Sequence, residues 1–67
     1  MNMIPVTSSN LSSVGFDDGK LYITFHGNRT YVYFGVPEYV YKELLSAESK
    51  GKYHAQFIKN NYRYQQV

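Results

Sequence analysis

The sequence predicts an α+β domain: an antiparallel three-stranded β-meander followed by two α-helices packed on one face (β-β-β-α-α), with room for a short extra strand at either terminus. Three observations predict it. Two turn dipeptides, Asp18-Gly19 and Gly27-Asn28, separate three runs rich in Val, Ile, Phe and Tyr. Apolar residues then change to the helical spacing i, i+4 at Val36, Val40 and Leu44. Finally, the 67 residues contain no repeat, linker or low-complexity tract, so residues 1–67 read as one domain.

A chain this short hides only about 60% of the surface its unfolded form exposes, so its core must be dense. With no cysteine to cross-link it, that density falls to the large side chains, and the four Phe and eight Tyr supply the bulk. The absence of cysteine also fits a reducing compartment.

The strands follow from their turns. Asp, Asn and Gly accept the positive φ that tight hairpin turns require. With Asp18-Gly19 as a tip, Asp17 faces Lys20, Phe16 faces Leu21 and Val14 faces Ile23. With Gly27-Asn28 as a second two-residue tip, His26 faces Arg29, Phe25 faces Thr30, Ile23 faces Val32 and Leu21 faces Phe34. Opposed residues share a face and neighbours alternate. One face then collects Val14, Phe16, Leu21, Ile23, Phe25, Val32 and Phe34. The other collects Ser13, Gly15, Lys20, Tyr22, Thr24, His26, Arg29, Tyr31 and Tyr33.

After the strands, Gly35-Val36-Pro37-Glu38 reads as a helix start, with proline in the first turn and Glu38 at the positive helix end. Val36, Val40 and Leu44, with Tyr41 and Leu45, form the stripe that should cover the apolar sheet face. A second helix is expected from about Lys52 to Asn60, with Tyr53, Phe57 and Ile58 inward. Ile4-Pro5-Val6 and Tyr62-Arg63-Tyr64 are candidates for the short terminal strands.

No segment approaches the roughly 20 apolar residues that span a bilayer. Met1 to Leu11 lacks the basic and apolar regions of a secretory signal, so a cytoplasmic protein with no membrane partner is expected. The net charge of +2 is unevenly spread. Residues 1–48 carry three basic and five acidic side chains, whereas residues 49–67 carry Lys50, Lys52, Lys59 and Arg63 with no acid. A basic C-terminal end favours an anionic partner, although a solvated helix face has the same composition.

Catalytic and metal chemistry lack their components, and neither an enzyme nor a cofactor is expected. There is no thiol, no Gly-x-Ser-x-Gly elbow, and no close pairing of His26 with His54. Ser49-Lys50-Gly51-Lys52 lacks the spacing of a phosphate loop and reads as a turn between helices. The tyrosine face is the stronger lead. Single-stranded nucleic acid is held by cations along its phosphates and by flat rings on which bases stack. Tyr22, Tyr31 and Tyr33 would form the platform, with Lys20 and Arg29 near the backbone and the C-terminal cations adding charge. RNA is the leading partner. The alternative is a protein-protein or homodimer contact through the same tyrosines, and Tyr22 could simply cover the bare backbone of Gly15.

Tyr31-Val32-Tyr33, Phe34-Gly35-Val36-Pro37, Ser49-Lys50-Gly51-Lys52-Tyr53 and Tyr62-Arg63-Tyr64 together resemble the KTSC domain, from about Ser8 to Tyr64. That family takes its name from the C-terminal domain of some lysyl-tRNA synthetases and also occurs as free-standing bacterial proteins. The resemblance implies a bacterial binding module with RNA as the suggested partner and no established function. The family pattern places a basic pair after the last tyrosine, often with proline between the tyrosines. Here Gln65-Gln66 follow and Arg63 stands between, which weakens the basic end.

Overall fold

Asp18 (φ 48°) and Gly19 (φ 79°) both adopt left-handed backbone, as the first hairpin requires. The computed structural model describes residues 2–67. Its strands are β1 (Ile4–Pro5), β2 (Leu11–Asp17), β3 (Lys20–Phe25), β4 (Arg29–Phe34) and β5 (Tyr64–Gln66). They form one antiparallel sheet in chain order, so the sheet has five strands and not only the expected meander of three. The two additions lie at the termini and pair edges that the meander alone would leave open. Helices α1 (Glu38–Ser46) and α2 (Lys50–Tyr53) lie between β4 and β5 in the chain.

The first hairpin keeps the expected register, with Val14 opposite Ile23, Gly15 opposite Tyr22, Phe16 opposite Leu21 and Asp17 opposite Lys20. Further along, the register shifts between Leu11 and Ser13, and Leu11 faces Phe25. That bulge turns Leu11 into the core, where it is fully buried.

The second hairpin does not keep the expected register. Ile23 faces Tyr31, Tyr22 faces Val32, Leu21 faces Tyr33 and Phe25 faces Arg29. The loop has three residues, His26, Gly27 and Asn28, in place of two. The Asn28 N–H donates to the Phe25 carbonyl (3.1 Å), with Gly27 at φ 97° and Asn28 at φ 63°. His26 cannot also face Arg29, because its N–H donates to the Asn10 carbonyl (3.0 Å) and lengthens the β2–β3 pairing. One added loop residue turns every β4 side chain to the opposite face. Tyr31 and Tyr33 therefore join Leu21 and Ile23, while Val32 and Phe34 join Tyr22. Val32 is still buried, flanked by Tyr22 on β3 and Gln65 on β5.

The Val36 N–H donates to the Gly19 carbonyl (2.9 Å), which ties the entry to α1 to the first turn. Pro37 is the N-cap, with extended backbone (ψ 149°), and lies one residue before the first helical turn. Val40 and Leu44 are buried as expected, and Tyr41 stacks on Phe16 (centroids 5.4 Å apart). Ser49 caps α2 by accepting the Lys52 N–H (3.4 Å), so Lys50 and Lys52 are helical and not part of a turn.

From His54 to Ile58 the helix widens to π geometry, and the Lys59 N–H reaches back to the His54 carbonyl (2.9 Å). Ile58 is fully buried in this wide turn, whereas Phe57, expected inward, is 49% exposed and packs on Tyr53. An added residue per turn moves Ile58 into the core and leaves Phe57 on the rim. The core consists mainly of Leu11, Val14, Leu21, Ile23, Leu44 and Ile58, each fully buried. Burial of such side chains stabilises by roughly 1.5–3 kcal/mol apiece.

Candidate functional site

Tyr33 sits on β4 beneath the π segment and is only 3% exposed. Its hydroxyl lies 2.7 Å from His54 Nε2. Burial pushes the Tyr33 hydroxyl up to about 12, with Tyr64 and Tyr31 adding to the shift, so it stays protonated. Burial, then the positive charge of Lys59, pulls the His54 imidazole below its ordinary value. A protonated phenol and a neutral imidazole thus share one hydrogen bond between Tyr33 Oη and His54 Nε2, with no net charge buried beneath the π segment.

Aromatic rings gather around this pair. Phe25 meets Tyr31 (5.8 Å) and His54 (5.1 Å) edge-on. Tyr64 on β5 faces Tyr33 across the strand pair, and its ring stands 5.9 Å from Tyr31 and 5.6 Å from Tyr33. These side chains, with Arg29 and Lys59, enclose an open cavity of about 300 Å³. Phe25, Tyr31, Tyr33, His54 and Tyr64 form an apolar, aromatic lining. Arg29 and Lys59, both exposed, place two positive charges at it. Such an arrangement can hold a flat ring and the anion attached to it.

A second recess of about 400 Å³ adjoins the first and shares Phe25, Arg29, His54 and Lys59 with it. Its remaining lining is Ser9, Asn10, His26, Gly51 and Ala55. His26 Nε2 lies 2.8 Å from the Ser8 carbonyl and so carries the proton that it donates there.

The nine residues expected at a nucleic-acid site divide into separate groups. Arg29, Tyr31, Tyr33 and Lys59 come together in the cavity. Tyr22 and Lys20 lie on the opposite sheet face, so the single platform of Tyr22, Tyr31 and Tyr33 does not exist. Tyr22 does sit opposite the buried Gly15, as expected of a ring that covers bare backbone. Lys50 is occupied by the Ala47 carbonyl (2.9 Å), and Lys52 and Arg63 are exposed away from the cavity lining. Three cavity residues were not expected there. Phe25 read as core, His54 as a helix-face residue, and Tyr64 as part of a terminal strand. A basic residue five positions after a helical His is no recognisable signal, because only the π turn gives that pair meaning.

Among the described residues, no group of three or more His, Cys, Asp or Glu is placed to hold a metal ion. No helix of the described residues is long and apolar enough to cross a membrane.

Comparison with known proteins matches this architecture and sequence to bacterial relatives. A protein of Tsukamurella paurometabola is 38% identical over 63 residues, which cover 91% of this chain and 94% of that protein. The crystal structure of a KTSC domain protein from Yersinia pestis is similar with a TM-score of 0.91 at 36% identity, covering 98% of this chain and 96% of that one. The family model of the KTSC domain matches residues 7–62, which include every β2–β4 strand and both helices. With the family model, the sequence match and the overall fold in agreement, the chain belongs to the KTSC domain family.

Proposed function

We propose that this KTSC domain is a cytoplasmic, non-catalytic binding module for single-stranded nucleic acid, RNA in the first place, and that it binds through the aromatic cavity on the helix-bearing face. One observation carries the reading: Tyr31 and Tyr64 present rings in the same cavity that Arg29 and Lys59 charge positively. A base stacked on an aromatic side chain is worth about 1–3 kcal/mol, and a phosphate beside two cations completes the contact. Tyr33 serves as the floor, because its buried hydroxyl is already committed to His54.

An NMR titration with a short single-stranded RNA tests this. Shifts are expected at Phe25, Arg29, Tyr31, Lys59 and Tyr64, with Lys20 and Tyr22 on the other face unmoved. The logarithm of the affinity should fall with the logarithm of salt at a slope of about −1.4, the release expected for two phosphates on a single strand. If saturating RNA at low salt leaves the cavity resonances in place, this function is refuted.

The second reading is a protein-protein or homodimer contact, and β5 favours it. β5 is an edge strand whose three residues are all exposed, including Tyr64 at 57%, so a second chain could pair along it. Sedimentation at micromolar concentration separates the two readings. A dimer that Tyr64→Ala converts to folded monomer would support the second.

A further inference from the structure

We infer that the polar recess beside the aromatic cavity receives the sugar of the bound nucleotide and reads its 2′-hydroxyl, so that the site prefers RNA to DNA. This rests on the nucleic-acid reading above and adds a specificity to it. The two cavities adjoin, because Phe25, Arg29, His54 and Lys59 line both. One half is aromatic and suits a base. The cations lie where the halves meet and suit the phosphate. What remains beyond them is a recess with the Ser9 hydroxyl, the Asn10 amide and the His26 ring in its wall.

Asn10 is held in position by its own backbone. Its N–H donates to Ser8 Oγ (3.2 Å) and its carbonyl accepts the His26 N–H (3.0 Å). Its side-chain amide fills space that only a glycine leaves: a Cβ on Gly51 would stand 2.6 Å from Asn10 Nδ2. His26 is held as well, since its Nε2–H is committed to the Ser8 carbonyl. An amide that both donates and accepts, beside a ring held by its own hydrogen bond, matches a hydroxyl that also donates and accepts. A 2′-hydroxyl is the group by which a protein distinguishes RNA from DNA at a given position. A deoxyribose or an unmodified aliphatic ligand would leave these groups to water.

Fluorescence anisotropy with a labelled six-residue oligonucleotide tests the inference. The same base sequence is used as RNA, as DNA carrying deoxyuridine, and as 2′-O-methyl RNA. RNA should bind roughly 3- to 10-fold more tightly than DNA, the worth of one net hydrogen bond. The 2′-O-methyl strand keeps the RNA sugar pucker yet removes the donor, and it should bind no better than DNA. Asn10→Ala should weaken RNA alone and bring the RNA:DNA ratio towards one. Arg29→Ala should weaken both and leave the ratio unchanged. Equal binding of RNA and DNA to the unaltered protein, or 2′-O-methyl RNA binding as tightly as RNA, overturns the sugar recess while the nucleic-acid reading stands. Failure of both RNA and DNA to bind the unaltered protein overturns both.

Discussion

Replacing Tyr33 with Phe isolates the polar contact at the floor of the cavity. The ring keeps its packing, since Tyr33 is only 3% exposed and its contacts with His54 and Tyr64 are ring to ring. What disappears is the 2.7 Å bond from the hydroxyl to His54 Nε2. One such bond contributes about 0.5–1.5 kcal/mol net, and a buried polar atom left without its partner costs more. His54 lines an open cavity, so water can partly replace the lost partner. The expected destabilisation is therefore about 1–2 kcal/mol. In a domain of 67 residues that corresponds to a fall in Tm of roughly 4–8 °C for each kcal/mol. Urea melts followed by circular dichroism measure it without tryptophan, which the chain lacks. A double-mutant cycle with His54→Ala should give a coupling of about 1 kcal/mol, because each change removes the same bond. Additive single changes, or a Tyr33→Phe protein within about 0.3 kcal/mol of the original, would refute the claim that this bond supports the fold.

His54 also makes stability depend on pH. Burial and Lys59 lower its folded pKa below the ordinary 6.5, so below that value the unfolded chain takes up a proton that the folded chain resists. The contribution is complete above about pH 6.5 and is lost as pH falls through the unfolded value towards the folded one, at no more than about 1.4 kcal/mol per pH unit. Chemical melts at pH 7.5 and pH 5.5 should show that loss, and His54→Gln should flatten it; an equal loss in the variant would assign it elsewhere. Gly19→Ala should destabilise by about 1–2 kcal/mol, because Gly19 holds φ 79° in a turn where its carbonyl also accepts the Val36 N–H. A melt unchanged by that substitution would show that the first turn tolerates a side chain at no cost.

The two hairpins show how far local pattern reaches in this chain. Around Asp18-Gly19 the flanking residues alternate cleanly, and Phe16, Leu21, Val14 and Ile23 pair as their hydrophobicity requires. Around Gly27-Asn28 no such alternation exists, because Tyr31, Val32, Tyr33 and Phe34 are all large and can all be buried. Hydrophobicity favours neither face there. The decision passes to the hydrogen bond from His26 N–H to the Asn10 carbonyl, which joins residues 16 apart and commits His26 to the β2–β3 pairing rather than to β4. The α1 stripe was legible because Val36, Val40 and Leu44 recur four residues apart, the spacing of one helix face, and all three are buried. Phe57 and Ile58 offered no contrast, and the wide π turn selected Ile58 for the core.

The amino-acid order alone thus determined an α+β domain, the first hairpin and its register, the buried stripe of α1, the strand near Ile4 and the resemblance to KTSC domains. Tertiary structure alone decided the site. Arg29 and Tyr31 on β4, His54 and Lys59 around the π turn, and Tyr64 on β5 meet only because β4 is turned by one residue and the last strand returns beside it. Periodicity sees contrast between neighbours in the chain, whereas this cavity is built from long-range contacts among residues that are equally at home on either face.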